Sequence, residues 1–78
     1  MMRYVLVRDY GSHTVQDSIH EDEYRAAVAL DQLWRDYKKE GRAVHFLEDG
    51  SVYCASRKST VRLYLEPRTG FIEVNIDA

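Results

Sequence analysis

The sequence contains one cysteine, one proline and no long apolar run. A single cysteine cannot form an internal disulfide, a device on which many domains of this size rely. The apolar stretch between Arg3 and Arg8 is too short for a signal-peptide core, and no other stretch is long enough to cross a membrane. These absences exclude a disulfide scaffold, and they favour a cytoplasmic protein that does not act on membranes.

Recognisable catalytic, metal-binding and nucleotide-binding motifs are also missing. Cys54 and His45 face each other in the predicted sheet, but both fall on its core side, where no third catalytic group is placed. A buried cysteine usually behaves as a small hydrophobic residue. His13 and His20 do not give these two residues the spacing of a zinc site. We therefore expect a non-enzymatic protein with no catalytic residue, no metal and no cofactor.

The charge is small overall but unevenly spread. The 78 residues carry a net charge of −2, with residues 1–33 and 65–78 acidic and residues 34–64 basic. Proteins that bind polyanions in bulk are usually basic overall, so a local basic patch is the most that the composition allows. No repeat or linker interrupts the chain, and the length suits a single domain, 1–78, near the lower limit for a self-sufficient core.

The first half of the chain predicts two strands and a helix. Residues 3–8 are rich in β-forming side chains, and residues 13–19 show a weaker alternation after the break at Gly11. A capping box from Ser18 to Glu21 predicts a helix over residues 20–40, and Gly41 is its stop. Tyr24 and Val28 fall outside its apolar stripe, either as packing at the sheet edge or as an exposed partner contact. The predicted stripe consists of Ala26, Ala27, Leu30, Leu33, Trp34 and Tyr37.

The second half predicts a series of antiparallel hairpins. Asp49-Gly50 is a two-residue turn signal, and further turns are predicted at Lys58-Ser59 and at residues 67–70. These turns place Phe46 and Tyr64 opposite Tyr53, and they add a last strand over residues 71–76. The sequence therefore predicts an α+β two-layer sandwich of one helix on an antiparallel sheet of five or six strands, in the order β-β-α-β-β-β-β.

The three predicted registers agree on which residues share a face of the sheet. The face under the helix is predicted to hold Ala43, His45, Leu47, Val52, Cys54, Ser56, Val61, Leu63, Leu65, Ile72, Val74 and Ile76. The outer face is predicted to hold Arg42, Val44, Phe46, Tyr53, Ala55, Arg57, Arg62, Tyr64, Glu66, Phe71, Glu73 and Asn75.

Aromatic and basic side chains are concentrated on that outer face. Protein interfaces favour tyrosine and arginine as anchors, whereas sheets that bind single-stranded nucleic acid stack bases on aromatics and pair phosphates with arginine. A sheet-to-sheet homodimer and an ordinary solvated face would use the same residues differently. The residues predicted to bind a partner are Phe46, Tyr53, Arg57, Arg62, Tyr64 and Arg42.

The leading hypothesis is a small binding module that occupies the surface of a protein partner. Glu66 and Glu73 interrupt the positive field of the outer face, and the sequence has no RNA-recognition signature, so nucleic-acid binding is the alternative. The build is similar in kind to accessory or inhibitor proteins of phages and mobile elements that occupy a host surface. That resemblance covers no specific motif.

Overall fold

One helix packs on a five-stranded antiparallel sheet in the computed structural model, which describes residues 2–69. The strands stand in the order β2-β1-β5-β4-β3, so β5 is central and β2 and β3 are the edges. The predicted α+β class and the place of the helix in the chain are confirmed, while the strand expected at 71–76 lies outside the described residues. The elements are β1 (Met2–Asp9), β2 (Thr14–His20), α1 (Glu23–Lys39), β3 (Ala43–Phe46), β4 (Val52–Ala55) and β5 (Thr60–Thr69).

The helix begins later than the capping box predicted. Its N-cap is Asp22, whose carboxylate accepts the backbone N–H of Arg25 at 2.8 Å. Ser18 instead lies in β2, opposite Leu6 of β1. The end of the helix is as expected, because Gly41 adopts a φ of 97° that glycine alone tolerates easily. The pairing of β2 with β1 thus extends through His20 and delays the helix to Glu23.

One side of α1 closes the core over β4 and β5. Ala26 is buried, and Leu30, Leu33, Trp34 and Tyr37 pack against a buried cluster from the sheet. Ala27 is exposed, contrary to the predicted stripe, and Tyr24 and Val28 are 77% and 52% exposed. Within residues 2–69 no helix is long and apolar enough to cross a membrane. The cluster beneath the helix consists of Val52, Cys54, Val61 and Leu63.

The β3–β4 connection is a three-residue loop rather than the predicted two-residue turn. The Leu47 N–H donates to the Ser51 carbonyl at 2.9 Å, and the Gly50 N–H donates to the Leu47 carbonyl at 3.1 Å. Gly50, at φ 91°, then provides the left-handed residue that such a loop needs. This extra residue shifts the pairing by one position, so His45 lies opposite Tyr53 and Phe46 opposite Val52. The predicted faces of β3 are therefore wrong and must be exchanged.

The β4–β5 turn lies one residue earlier than predicted. The Ser56 N–H donates to the Ser59 carbonyl at 2.8 Å, and the Ser56 hydroxyl accepts the backbone N–H groups of Lys58 and Ser59. These bonds fix Ser56 and Ser59 as the residues flanking the turn. The register moves by two positions, so Tyr53 lies opposite Arg62 rather than opposite Tyr64. A shift of two keeps each side chain on its predicted face, although Ser56 itself is exposed.

The prediction of a turn at residues 67–70 is also wrong for residues 67–69, which are the part that the structure describes. Pro67, Arg68 and Thr69 continue β5 and lie opposite Tyr4, Arg3 and Met2 of β1, respectively. Pairing with β4 stops at Leu63, so one edge of β5 is free of β4 where the proline stands. A proline is tolerated in a strand at such a place because it has no N–H to offer a neighbour.

A group of polar side chains joins the C-terminal end of the helix to the sheet. Arg8 forms an ion pair with Asp17 at 3.2 Å and donates to the Tyr10 hydroxyl at 3.3 Å. A hydrogen bond with Tyr37 raises the pKa of Arg8, while burial raises the pKa of the Tyr37 phenol. Arg42 stacks on the Tyr37 ring, with its guanidinium carbon 4.9 Å from the ring centroid. Tyr37 therefore contacts two arginines, one through a hydrogen bond and one through its ring.

The substitution Gly50→Ala tests whether the loop conformation sets the β3–β4 register. An L-residue at φ 91° is strained, so we expect the free energy of unfolding to fall by about 1–2 kcal/mol. Chemical denaturation followed by circular dichroism measures the loss. D-alanine at the same position, introduced by chemical synthesis, is the matched control because it favours positive φ. Equal destabilisation by both alanines would contradict the assigned loop.

Candidate binding surface on the outer face of the sheet

The surface opposite the helix, which we name the outer face, is built from β1, β5 and β4. Strand pairing places Asp9 opposite Arg62, Val7 opposite Tyr64, and Tyr53 opposite Arg62. Alternation along each strand directs these side chains away from the buried cluster that packs on α1. Residues that are far apart in the chain thus form one continuous row across the three strands.

Arg62 is at the centre of this row and is surrounded by acidic and aromatic groups. Its guanidinium carbon lies 4.4 Å from the centroid of the Tyr64 ring. One terminal nitrogen is 3.6 Å from the Asp9 carboxylate, and the other is 4.0 Å from that of Asp49. The positive charge is therefore matched within the chain by two carboxylates, and the ring limits the guanidinium's movement.

Asp49 is held in place by the residue that follows its loop. Its carboxylate accepts the Ser51 hydroxyl at 2.6 Å and the Ser51 backbone N–H at 2.9 Å. These two hydrogen bonds, with a smaller contribution from Arg62, lower the pKa of Asp49 below its ordinary value of 3.8. The loop thus keeps an ionised carboxylate beside Arg62 at neutral pH.

A shallow pocket of about 220 Å³ lies at the end of the outer face near the β1–β2 turn. Tyr53 forms one wall and is 37% exposed, so its ring remains available to a second molecule. Tyr10, which stacks on His13 with ring centroids 5.1 Å apart, also lines the pocket. The lining therefore includes two aromatic residues together with the charged residues Asp9 and Arg62. The lining residues are Asp9, Tyr10, Gly11, Tyr53, Thr60 and Arg62.

The outer face is not a uniformly solvated surface. Val5 and Val7 are directed to this face by their pairing with Glu66 and Tyr64, and they are only 0% and 3% exposed. Where one face of an antiparallel sheet is in contact with water, the side chains on that face are normally polar and exposed. Part of the outer face along β1 is therefore already buried, and the accessible part is the β4 side around Tyr53.

The structure separates the six residues that the sequence predicted as a single binding site. Tyr53, Arg62 and Tyr64 lie together on the outer face. Phe46 lies on the helix side, where its ring packs edge-on against Trp34 at 5.0 Å. Arg42 donates to the Cys54 carbonyl at 3.3 Å and stacks on Tyr37, also away from the outer face. Arg57 is exposed in the β4–β5 turn.

His45 and Cys54 are not a pair. The corrected register places Val44 opposite Cys54 and turns His45 to the outer face, where it is exposed. Cys54 is fully buried under the helix, and burial raises the pKa of its thiol. Among residues 2–69, no group of three or more histidine, cysteine or acidic side chains is arranged to hold a metal ion.

Sequence reasoning missed the residues that complete the site, namely Asp9, Tyr10 and Asp49. Asp9 meets Arg62 only because β1 pairs with β5, and the sequence contains no turn that predicts this pairing. Asp49 was recognised as a turn residue, but its contact with Arg62 requires the three-residue loop. The only local signal was the Asp-Gly pair, which does not by itself distinguish the two loop lengths.

No protein-family model matches the chain, and no curated protein or solved structure is significantly similar to it.

The substitution Ser51→Ala tests the cause of the low Asp49 pKa. Removal of the hydroxyl donor should move this pKa upward, toward 3.8. A folded-state pKa below the unfolded value stabilises the fold above the unfolded pKa, and this contribution is lost as pH falls through the folded value. We therefore expect Ser51→Ala to lower the free energy of unfolding at pH values above about 4, and we expect this difference from the wild type to shrink as the pH falls further and Asp49 becomes protonated in both proteins.

An NMR titration that follows the side-chain carboxyl carbon of Asp49 measures the pKa shift directly. Ser12→Ala, which removes a hydroxyl from another turn, is the control and should leave the Asp49 titration unchanged. An unaltered Asp49 pKa in Ser51→Ala would show that these hydrogen bonds are not its cause.

The position of Cys54 predicts a thiol that does not react while the protein is folded. The thiolate is the reactive form, and both burial and the raised pKa oppose its formation. Labelling with a thiol-specific disulfide reagent should proceed only at the rate of unfolding and become rapid in denaturant. Rapid labelling under native conditions would contradict the placement of Cys54 in the core.

Proposed function

We propose that this chain is a non-enzymatic binding module that occupies the surface of a protein partner in the cytoplasm. The binding surface is the β4 side of the outer face, with Tyr53 as its anchor. The observation that carries this proposal is the exposed Tyr53 ring at the wall of the pocket near the β1–β2 turn. Tyrosines in such pockets are frequent anchors of protein interfaces because they bury a large area with few torsions to fix.

The charges around Tyr53 support a protein partner over a nucleic acid. Arg62 lies between Asp9 and Asp49, and Arg68 forms an ion pair with Glu66 at 3.2 Å. A surface whose arginines are already neutralised attracts a phosphate backbone weakly. The same pairs hold polar groups in fixed positions, which gives a protein interface its specificity. Single-stranded nucleic-acid binding is thus the second candidate and has the weaker support.

The size of the pocket indicates how the partner is held. A volume of about 220 Å³ accommodates one protruding side chain rather than a peptide or a cofactor. Tyr53 packs against that side chain, while Asp9 and Arg62 satisfy polar groups beside it. Such a mode agrees with an accessory or inhibitor protein that acts by covering a partner's surface.

The substitution Tyr53→Ala tests the proposal against Tyr24→Ala as a matched control. Both residues are exposed tyrosines, but Tyr24 lies on the helix, away from the outer face. Tagged variants are used to capture partners from native lysate, and the partner enriched by the wild type is then purified. Its affinity, measured by titration calorimetry, should fall about thirtyfold or more for Tyr53→Ala and remain unchanged for Tyr24→Ala.

Equal affinities for the two variants would contradict the role of Tyr53. Fluorescence titration with a single-stranded oligonucleotide at low salt tests the second candidate. If the oligonucleotide binds, if its binding weakens steeply as salt rises, and if Tyr53→Ala abolishes it, the partner is a nucleic acid rather than a protein.

A further inference from the structure

The turn between β4 and β5, residues 56–59, carries positive charge that the described chain does not neutralise, and we name it the basic turn. Arg57 and Lys58 are exposed at its tip. Within residues 2–69 neither forms an ion pair. In this respect they differ from Arg62, whose charge is matched by two carboxylates. The basic turn is therefore a place where a carboxylate from another molecule gains attraction.

A third cation, Arg42, holds the basic turn in place. Its guanidinium donates to the Cys54 carbonyl at 3.3 Å and to the Ser59 hydroxyl at 3.4 Å, and it stacks on the Tyr37 ring. Inside the turn the Ser56 hydroxyl accepts two backbone N–H groups. The turn is thus ordered before anything binds to it, which reduces the entropy that binding costs.

The basic turn adjoins the pocket at Tyr53. Tyr53 lies opposite Arg62, Ala55 lies opposite Thr60, and the turn follows directly. Thr60 and Arg62 also line the pocket. Two residues of strand, roughly 7 Å, separate the Tyr53–Arg62 pair from the start of the turn. A protein that places a side chain in the pocket therefore meets the basic turn within the same contact.

The pocket has charges of its own, but they are matched within the chain. Asp9 accepts the Gly11 N–H at 2.8 Å and lies 3.6 Å from Arg62. These two residues are the charged members of the pocket lining. The sign of the charge that this end of the molecule attracts is therefore set by the basic turn rather than by the pocket.

We propose that the basic turn binds an acidic segment of the protein partner, with two or more carboxylates close together. This inference rests on the proposed function, because the segment lies beside the side chain that fills the pocket. Its carboxylates accept charge-assisted hydrogen bonds from Arg57 and Lys58. Arg42 adds to the positive field and keeps the turn in position. The attraction also speeds the encounter of the two proteins.

Separate carboxylates fit this end of the molecule better than a continuous phosphate backbone does. A nucleic acid that extended from the basic turn across the outer face would pass the carboxylates of that face. Asp49 is exposed there, and Asp9 and Glu66 are partly exposed. Each of them repels phosphate groups. A protein surface can present acidic residues to the turn and other residues to these carboxylates.

The probe that tests the proposal is a synthetic hexaglutamate peptide, which offers carboxylates and has no apolar side chain for the pocket. Titration into isotope-labelled protein should shift the backbone NMR signals of Arg57, Lys58 and Ser59. The dissociation constant should rise about fivefold or more between about 50 and 500 mM salt, because exposed charges are screened. A single-stranded oligothymidylate with the same number of negative charges is the competing probe. Tighter binding of the oligothymidylate, or no shifts at the turn with hexaglutamate, would overturn the proposal.

Charge reversal tests the placement at the turn. The double substitution of Arg57→Glu with Lys58→Glu should weaken hexaglutamate binding about tenfold or more, because repulsion replaces attraction. Arg25→Glu with Arg35→Glu makes the same change in net charge at two exposed positions of the helix and is the control. It should alter the affinity by less than about twofold at 50 mM salt or above. Circular dichroism confirms that both variants are folded. Equal effects of the two would show that only net charge matters and would overturn the proposal.

The same variants separate this inference from the proposed function. The reversal at the turn should also weaken binding of the purified partner about tenfold. If Tyr53→Ala weakens that binding and the reversal does not, the acidic segment is excluded and the anchor at Tyr53 stands. If hexaglutamate binds at the turn and Tyr53→Ala has no effect on the partner, the anchor is excluded and the acid-binding turn stands.

Discussion

The central strand β5 is the element on which the rest of the structure depends. It pairs with β1 over Arg62–Thr69 and with β4 over Thr60–Leu63, so within residues 2–69 it is the strand that joins the two halves of the five-stranded sheet. Its inward side chains Val61 and Leu63 are fully buried beneath the helix, and its outward residue Arg62 organises the opposite surface. Alternate residues of β5 therefore belong to the core and to the candidate binding site.

How far the fold could be predicted depended on the range of the interactions concerned. The helix, its glycine stop and the alternation of β4 and β5 follow from local patterns, and the structure has all of them. The register of β3 was missed because the Asp-Gly signal is compatible with loops of two and three residues, and that one residue reverses every side chain of the strand. Pro67 suggested a turn from its local preference, yet long pairing with β1 kept it in β5.

The candidate site was predictable to a similar degree. Tyr53, Arg62 and Tyr64 share a face because alternation along a strand is insensitive to a two-residue shift in register. Their surroundings were not predictable, because Asp9 reaches Arg62 only through the β1–β5 pairing of distant segments. The sequence therefore indicated a basic aromatic patch, and the structure replaces it with a neutralised arginine beside an exposed tyrosine.

The pairing of β1 with β5 also affects the rate at which the chain folds. The β1–β2, β3–β4 and β4–β5 hairpins and the helix consist of contacts between nearby residues, which form quickly, but β1 and β5 are separated by about 50 residues. Closing that long loop costs conformational entropy before any hydrogen bond between the two strands can compensate for the loss. During synthesis, β1 leaves the ribosome well before its partner exists, and the apolar side chains of Val5, Leu6 and Val7 stay uncovered meanwhile. We therefore expect the pairing of β5 with β1 to be the slow step of folding, and the time before it to carry the greatest risk of aggregation.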